Sequence, residues 1–265
     1  ILNMESKLAT SGFMSYFEKL IRAHPLIYIF LRSMVRFTNI FEKDFDGVKL
    51  LKFNEKVNII DVGASDGIAT KFLSKHLNYK SILCFEPNPQ YVKILKKIKI
   101  KNVIVKPFGI SDKNCYVDIL YPRYKFFKKN YDIISYTGYG GRAGSPESKF
   151  MNHMLLDFKF NKNISVFKKK IAVKKIKKMN KKIHLIKIDT NGHELSIIKG
   201  LMKFIKKDKP ALIVEENYDT SKIMRLLKKY SYKGYYYSIN KKNFTLKRDS
   251  NALNIYYLQK KHLIN

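Results

Sequence analysis

An α/β fold built on a mostly parallel, doubly wound sheet with helices on both faces and an antiparallel C-terminal strand is predicted by three observations. Short β-branched apolar runs alternate with segments of helical apolar spacing. A glycine turn with an acid before it separates the first such run from the first helix. The last two apolar runs, 232–239 and 253–258, are joined by a turn at 240–243 with no helix between them.

The first strand is read over 57–60, with Asp61 at its end, and Gly63 and Gly67 bracket the turn that follows. Ile68, Phe72, Leu73 and Leu77 recur at helical spacing, so a helix packs on the sheet through one face. Residues 81–85 form the second strand, with Glu86 at its carboxyl end, and 103–105 the third. Runs at 117–120 and 164–173 read as extra strands, and 183–188 as the fourth strand of the main sheet. A helix over 192–205 carries Leu195, Ile198 and Leu201. A fifth strand at 211–214 and a helix at 219–229 lead into the closing pair.

In such a sheet, ligands bind in the crevice at the carboxyl ends of the strands. An acid about 20 residues beyond the glycine turn is placed to accept hydrogen bonds from ribose hydroxyls, which is the position of Glu86. Three residues separate Gly63 from Gly67, so the GxGxxG dinucleotide fingerprint is missing, and no GK[ST] follows to cradle phosphates. Asp61 suits an ammonium better than a phosphate. Together these favour an adenosine ligand carrying an amino acid, of which S-adenosyl-L-methionine is the common example.

Four segments, DVGASDG at 61–67, FEPNP at 85–89, KIDTNGHE at 187–194 and KPALIVEEN at 209–217, occur in the order seen in FkbM-type S-adenosylmethionine-dependent methyltransferases, which the chain resembles over roughly 57–217. The family pattern more often has Asn where Ser65 or Asp66 stands and Val-Glu-Gly at 190–192. The resemblance implies a Rossmann-like class I methyltransferase that methylates a hydroxyl on a sugar, polysaccharide precursor or other small metabolite. Cofactor contacts are expected from Asp61, Gly63, Ala64, Asp66, Gly67, Glu86, Pro87 and Asn88. Residues 108–112 are expected to line the adenine, with Gly109 and Asp112 named as contacts.

Methyl transfer to a hydroxyl needs positioning and an acceptor for a proton. Asp189, at the end of the fourth strand, is the first choice for the acceptor-side carboxylate. Glu194 and His193 are candidates for base or orienting partner, although Glu194 can equally serve the helix N-terminus and His193 can be a surface histidine. His153, Glu215 and Glu216 stand in reserve. No tight ligand spacing appears, so no required metal is expected.

Residues 121–160 break the alternation. The glycine-rich YTGYGGRAGSPES at 136–148 is expected to lack regular structure and to act as a substrate lid. Tyr139, Arg142 and His153 are its candidate acceptor contacts, Arg142 toward a carboxylate or phosphate.

The chain has 265 residues and a formal net charge of +32, but only seven of its 53 basic residues are Arg. Recognition of nucleic acid draws on Arg's planar fork, so the charge is read first as solvated surface. Residues 1–47 form a helical appendage to a catalytic domain over 48–265. Its apolar stretch at 13–37 reads as a cap over the fold or as an interfacial helix on anionic lipid. Arg22, His24, Arg32 and Arg36 interrupt the apolar residues, so no secretory leader is expected, and Met4 close behind Ile1 suggests an alternative or truncated start. Cys84 and Cys115 make no disulfide framework and favour a cytoplasmic setting.

Two further readings stay open. An RNA- or nitrogen-directed methyltransferase is allowed by the charge, though IDTNG lacks the proline-aromatic motif of many amino-methylating enzymes. A non-catalytic membrane- or nucleic-acid-binding module on the same fold is opposed by the intact Asp61, Gly63, Gly67 and Glu86.

Overall fold

The computed structural model describes residues 42–126, 129–132, 141–142, 164–248 and 252–263. Almost all of the N-terminal appendage, together with Tyr139 and His153, lies outside the described residues. Residues on both sides of the 47/48 division, Lys43–Leu50, form one 3-10 helix whose Phe45 and Val48 are buried.

Among the described residues the main sheet has eight strands. β1 (Val57–Val62), β2 (Tyr79–Phe85), β3 (Val103–Lys106), β9 (Leu185–Ile188) and β10 (Ala211–Glu215) run parallel in the order β3-β2-β1-β9-β10. β13 (Asn254–Leu258) pairs antiparallel with β10 on one side and with β11 (Lys233–Ser238) on the other, and β12 (Asn243–Thr245) closes the edge. The central strands are apolar on both faces because both are covered, as parallel sheets require.

One face holds α3 (Glu194–Asp208) and α4 (Thr220–Lys228) over Ile60, Val62, Ile186, Ile188, Leu212 and Val214. α3 contributes Ile197, Ile198, Leu201, Phe204 and Ile205, each worth about 1.5 to 3 kcal/mol when fully buried. The other face packs α1 (Ile68–His76) and the 43–50 turn over Ile59, Leu185, Ile213 and Tyr256. α2 (Pro89–Lys97), which the sequence reading passed over, starts on an Asn88 cap that accepts from Gln90 N–H at 3.1 Å, with Pro89 in the first turn.

A second sheet takes in the described part of the expected irregular region, 121–126, 129–132 and 141–142. β5 (Cys115–Phe126) pairs antiparallel with β8 (Ile164–Lys174) and with β6 (Lys129–Asp132), while β4 (Gly109–Ile110) runs parallel to β8. Gly141 and Arg142 form a two-residue strand, β7, paired with β5 through Ile119↔Arg142. The expectation of no regular structure over 136–148 is therefore corrected at 141–142. The break in the alternation at 121 is likewise corrected, since β5 runs on to 126. Long strands satisfy backbone groups that a 40-residue loop would leave to water. Among the described residues no helix is long and apolar enough to cross a membrane.

Candidate functional site

The carboxyl ends of β1, β2, β9 and β10 converge, and six of the chain's 21 acids gather there: Glu42, Asp61, Glu86, Asp189, Glu194 and Glu215. In a chain this basic, such a concentration of acids is local chemistry set against the global charge.

After β1, Gly63 N–H and Ala64 N–H donate to Phe85 O, drawing the turn over the end of β2. Gly63 has φ +75°, and a Cβ there would lie 1.9 Å from the Asp189 carbonyl oxygen, so the turn passes against the end of β9 where only glycine fits. Gly67 has φ +82° and opens α1. Ala64 and Asp66 are buried within the turn.

Glu86 is buried at the end of β2. Its two oxygens accept one backbone N–H each, from Ser65 and Asn88, both at 2.8 Å. Burial raises its pKa to about 7, with those N–H groups pulling the other way. Each oxygen retains a lone pair beyond these bonds. The Asn88 amide nitrogen is buried without a hydrogen-bond partner. Gly109 packs beside Pro87, where an added Cβ would stand 3.7 Å from the proline ring and 3.0 Å from Val173. Asp112 follows β4 and accepts from Ser111 Oγ at 3.1 Å.

Asp61 is fully buried. Thr70 Oγ1 donates to its Oδ2 at 2.6 Å, while Oδ1 has no hydrogen-bond partner. An ammonium does lie beside Asp61, but it belongs to Lys187, at 3.5 Å. Lys187 is itself 3% exposed; its Nζ donates to Gly63 O at 3.3 Å and meets Asp189 Oδ2 at 3.2 Å. Burial opposes the charge on Lys187, but Asp189 and Asp61 outweigh it and hold its pKa above the usual lysine range.

The three residues read as catalytic occupy different situations. Asp189 stands past the end of β9 with 31% of its side chain exposed. His193 Nε2 lies 3.0 Å from Ser111 Oγ and so ties the start of α3 to the segment after β4. Glu194 is fully buried, and its carboxylate accepts from Thr190 N–H and Oγ1, from Gly192 N–H and from the Asn217 amide. That carboxylate organises the 190–192 loop. Burial raises its pKa to about 7, the loop donors lower it and Asp189 adds to the rise.

Two further acids border Asp189. Glu215, half-buried at the end of β10, is within hydrogen-bonding reach of Asp189; burial, then Asp189, Glu194 and Glu42, drives its pKa well upward. Glu42 precedes the 43–50 turn and accepts from Asn254 Nδ2 at 2.9 Å. Burial first, and then Asp189, raise its pKa to about 7. Glu216 points elsewhere, paired with Arg248 at 2.7 Å. Arg142 is placed by its backbone alone, in β7.

Lys187 and Glu42 were missed in the sequence. For Lys187 a signal existed, since a lysine inside an apolar parallel strand can be buried only against carboxylates. Glu42 gave none, because 212 positions separate it from Asn254, the strand residue that fixes it.

A family model described as the methyltransferase FkbM domain matches residues 61–234. No curated protein matches the chain. Among solved structures, methyltransferase FkbM from Methylobacillus flagellatus is similar at 16% identity and TM-score 0.49, over 82% of this chain and 48% of that one. The present chain thus spans about half that protein. A precorrin-6y C5,15-methyltransferase from Geobacter metallireducens is similar at 13% identity and TM-score 0.40, over 82% and 87% of the two chains. A putative rRNA-methylase from Clostridium thermocellum is similar at 10% identity and TM-score 0.42, over 83% and 93%.

Proposed function

Because the chain belongs to the FkbM methyltransferase family, we propose that it moves the methyl group of S-adenosylmethionine to a hydroxyl on a sugar, polysaccharide precursor or other small metabolite. The observation that carries this reading is the buried carboxylate of Glu86, fixed by two backbone N–H groups with a lone pair left on each oxygen.

The residues present fit the cofactor. Glu86 would take the two ribose hydroxyls, and the orphaned Asn88 amide is a donor waiting beside it. The turn at 63–67 would hold the amino-acid portion through its backbone. Asp61, sealed behind that turn, acts through Lys187 and Thr70 rather than by direct contact. Gly109 and Asp112 would border the adenine, and Asp66 would steady the turn. The cofactor supplies a methyl group already activated on a sulfonium.

On the acceptor side, Asp189 is the carboxylate that both reaches the crevice and pairs with Lys187, a counter-ion it shares with Asp61. It is the group we assign to receive the hydroxyl proton. Glu194 and His193 hold the loop and helix that place it. Arg142, Tyr139 and His153 remain our candidates for acceptor contacts. Two free cysteines accord with a cytoplasmic reaction, and the stretch at 13–37 with peripheral association at anionic lipid.

Calorimetric titration with S-adenosylhomocysteine, and separately with NAD, tests the cofactor assignment. Micromolar binding of the former, abolished in Glu86→Ala, is expected. No binding, or preference for NAD, would overturn the reading.

A further inference from the structure

We propose that Asp189 and Glu215 form a one-proton carboxyl pair in which Lys187 makes Asp189 the ionised member that meets the acceptor hydroxyl, while Glu215 keeps the proton and acts through Asp189 as a positioning residue. The inference rests on the methyltransferase reading and names the proton chemistry of that same site.

The sheet register brings the pair together. In the parallel ladder of β9 and β10, Val214 stands opposite Ile188, so the next residues, Glu215 and Asp189, are lateral neighbours. Lateral neighbours in adjoining parallel strands project from the same face. That is also the face of Lys187, two residues before Asp189, which stands opposite Asp61 in the β1 ladder. Lys187 therefore touches Asp189 at 3.2 Å from below while Glu215 approaches it from the side.

Two carboxylates cannot both stay ionised at hydrogen-bonding distance without a cation for each. Among the described residues Lys187 is the cation at this point, and it is already shared with Asp61. Among the described residues, the other charged groups acting on the pair are the acids Glu194, at the start of α3, and Glu42, ahead of the 43–50 turn. One proton is thus retained. It falls to Glu215, because Asp189 is the member bonded to the ammonium.

In the reaction the acceptor O–H proton passes to Asp189, the oxygen lone pair forms the new O–C bond, and the electron pair of the breaking C–S bond stays on sulfur. Asp189 then releases its proton to water through its exposed side.

Two measurements test the pair. Infrared spectra of the protein at pH 7 should show a protonated-carboxyl carbonyl band that disappears in Glu215→Gln. Persistence of every such band in that variant would overturn the proposal, whether or not a cofactor binds. Sinefungin carries a protonated amine where S-adenosylmethionine carries its methyl-bearing sulfonium, so its affinity relative to S-adenosylhomocysteine reads the charge on Asp189. Asp189→Asn should lower that ratio about tenfold, with unchanged S-adenosylhomocysteine affinity as the folding control. An unaltered ratio would refute the role of Asp189. Failure of the wild type to bind S-adenosylhomocysteine would instead sink the methyltransferase reading and leave the infrared result to decide the pair.

Discussion

Replacing Lys187 with Met should destabilise the protein by about 4 kcal/mol at pH 7, and the size of the loss should depend on pH in a defined direction. Lys187 Nζ is held at 3.5 Å from Asp61, 3.2 Å from Asp189 and 3.3 Å from the Gly63 carbonyl. Asp189 is partly exposed and can turn to water once the ammonium is gone. Asp61 cannot, because it is fully buried with one oxygen already lacking a hydrogen-bond donor. It must bind a proton in the folded variant. Holding an ordinary aspartic carboxyl protonated costs about 4 kcal/mol at pH 7 and about 1.5 kcal/mol at pH 5. The first figure lies within the ~3 to 5 kcal/mol found when one partner of a buried ion pair is removed. The folded variant binds one proton more than the unfolded chain, so its stability relative to wild type falls as pH rises. Urea unfolding followed by circular dichroism at pH 5 and pH 7 measures both values. Adding Asp61→Asn, which removes the stranded charge, should return about 2 to 3 kcal/mol at pH 7. A loss under about 1 kcal/mol at pH 7, or an equal loss at both pH values, would refute the account of Lys187 as the counter-ion of a sealed carboxylate.

Two further outcomes follow from packing and titration. Gly200 in α3 sits against the segment after β4, and a Cβ there would stand 2.2 Å from Ser111 O and 2.6 Å from its carbon. Gly200→Ala should therefore cost about 1 to 3 kcal/mol despite the helix propensity of Ala, read as a Tm several degrees lower; an unchanged or higher Tm would contradict the close approach. His262 is buried, and burial, with Lys261 adding, lowers its pKa to about 4 against a bond to Lys209 O that pulls the other way. The unfolded chain protonates at about 6.5 and the folded one only at about 4, so stability is full above pH 6.5 and declines toward pH 4. Thermal scans of His262→Gln should show a decline about 2 to 3 kcal/mol smaller across that window; a wild-type slope in the variant would remove His262 from the explanation.

The legible parts of the fold were those whose signal is local. β1, α1 and β2 announce themselves because a β-branched run, a glycine turn and a 3.6-residue apolar spacing follow one another without interruption. α3 and β10 were visible for the same reason, and even the antiparallel placement of β13 could be read from two strands lacking a crossover helix. α2 was equally legible from Asn88 and Pro89, yet the same residues served a ligand motif and the helix went unread. β5 and β8 were read as extra strands, but their pairing into a second sheet was hidden because they lie about 40 residues apart and that pairing is set by tertiary register rather than by composition. In the site, Glu86 and Asp189 could be located at strand ends, whereas the environment that decides their chemistry could not. The neighbour of Asp189 across the ladder depends on which strands adjoin, and Glu42 enters only because Asn254 holds it.

The anchoring of the N-terminal turn has a bearing on how the crevice is assembled during synthesis. Asp44 accepts from the backbone N–H of Leu253 and Asn254, both at 2.8 Å, and its carbonyl accepts from Tyr256 Oη at 2.9 Å. The turn is thus docked by the strand that slides between β10 and β11. A nascent chain halted before residue 252 already contains Asp61, Lys187, Asp189 and Glu215, and its parallel ladders can form. It also leaves β10 with an open edge and the 43–50 turn without its partners. Glu42 then has nowhere to lodge. The last acid to join the site is among the first residues made, and its arrival waits on contacts more than 200 positions downstream, which are slow to close. Assembly from opposite ends of the polypeptide makes the complete crevice a late event in folding, and partial products are left with an exposed strand and an unfinished centre.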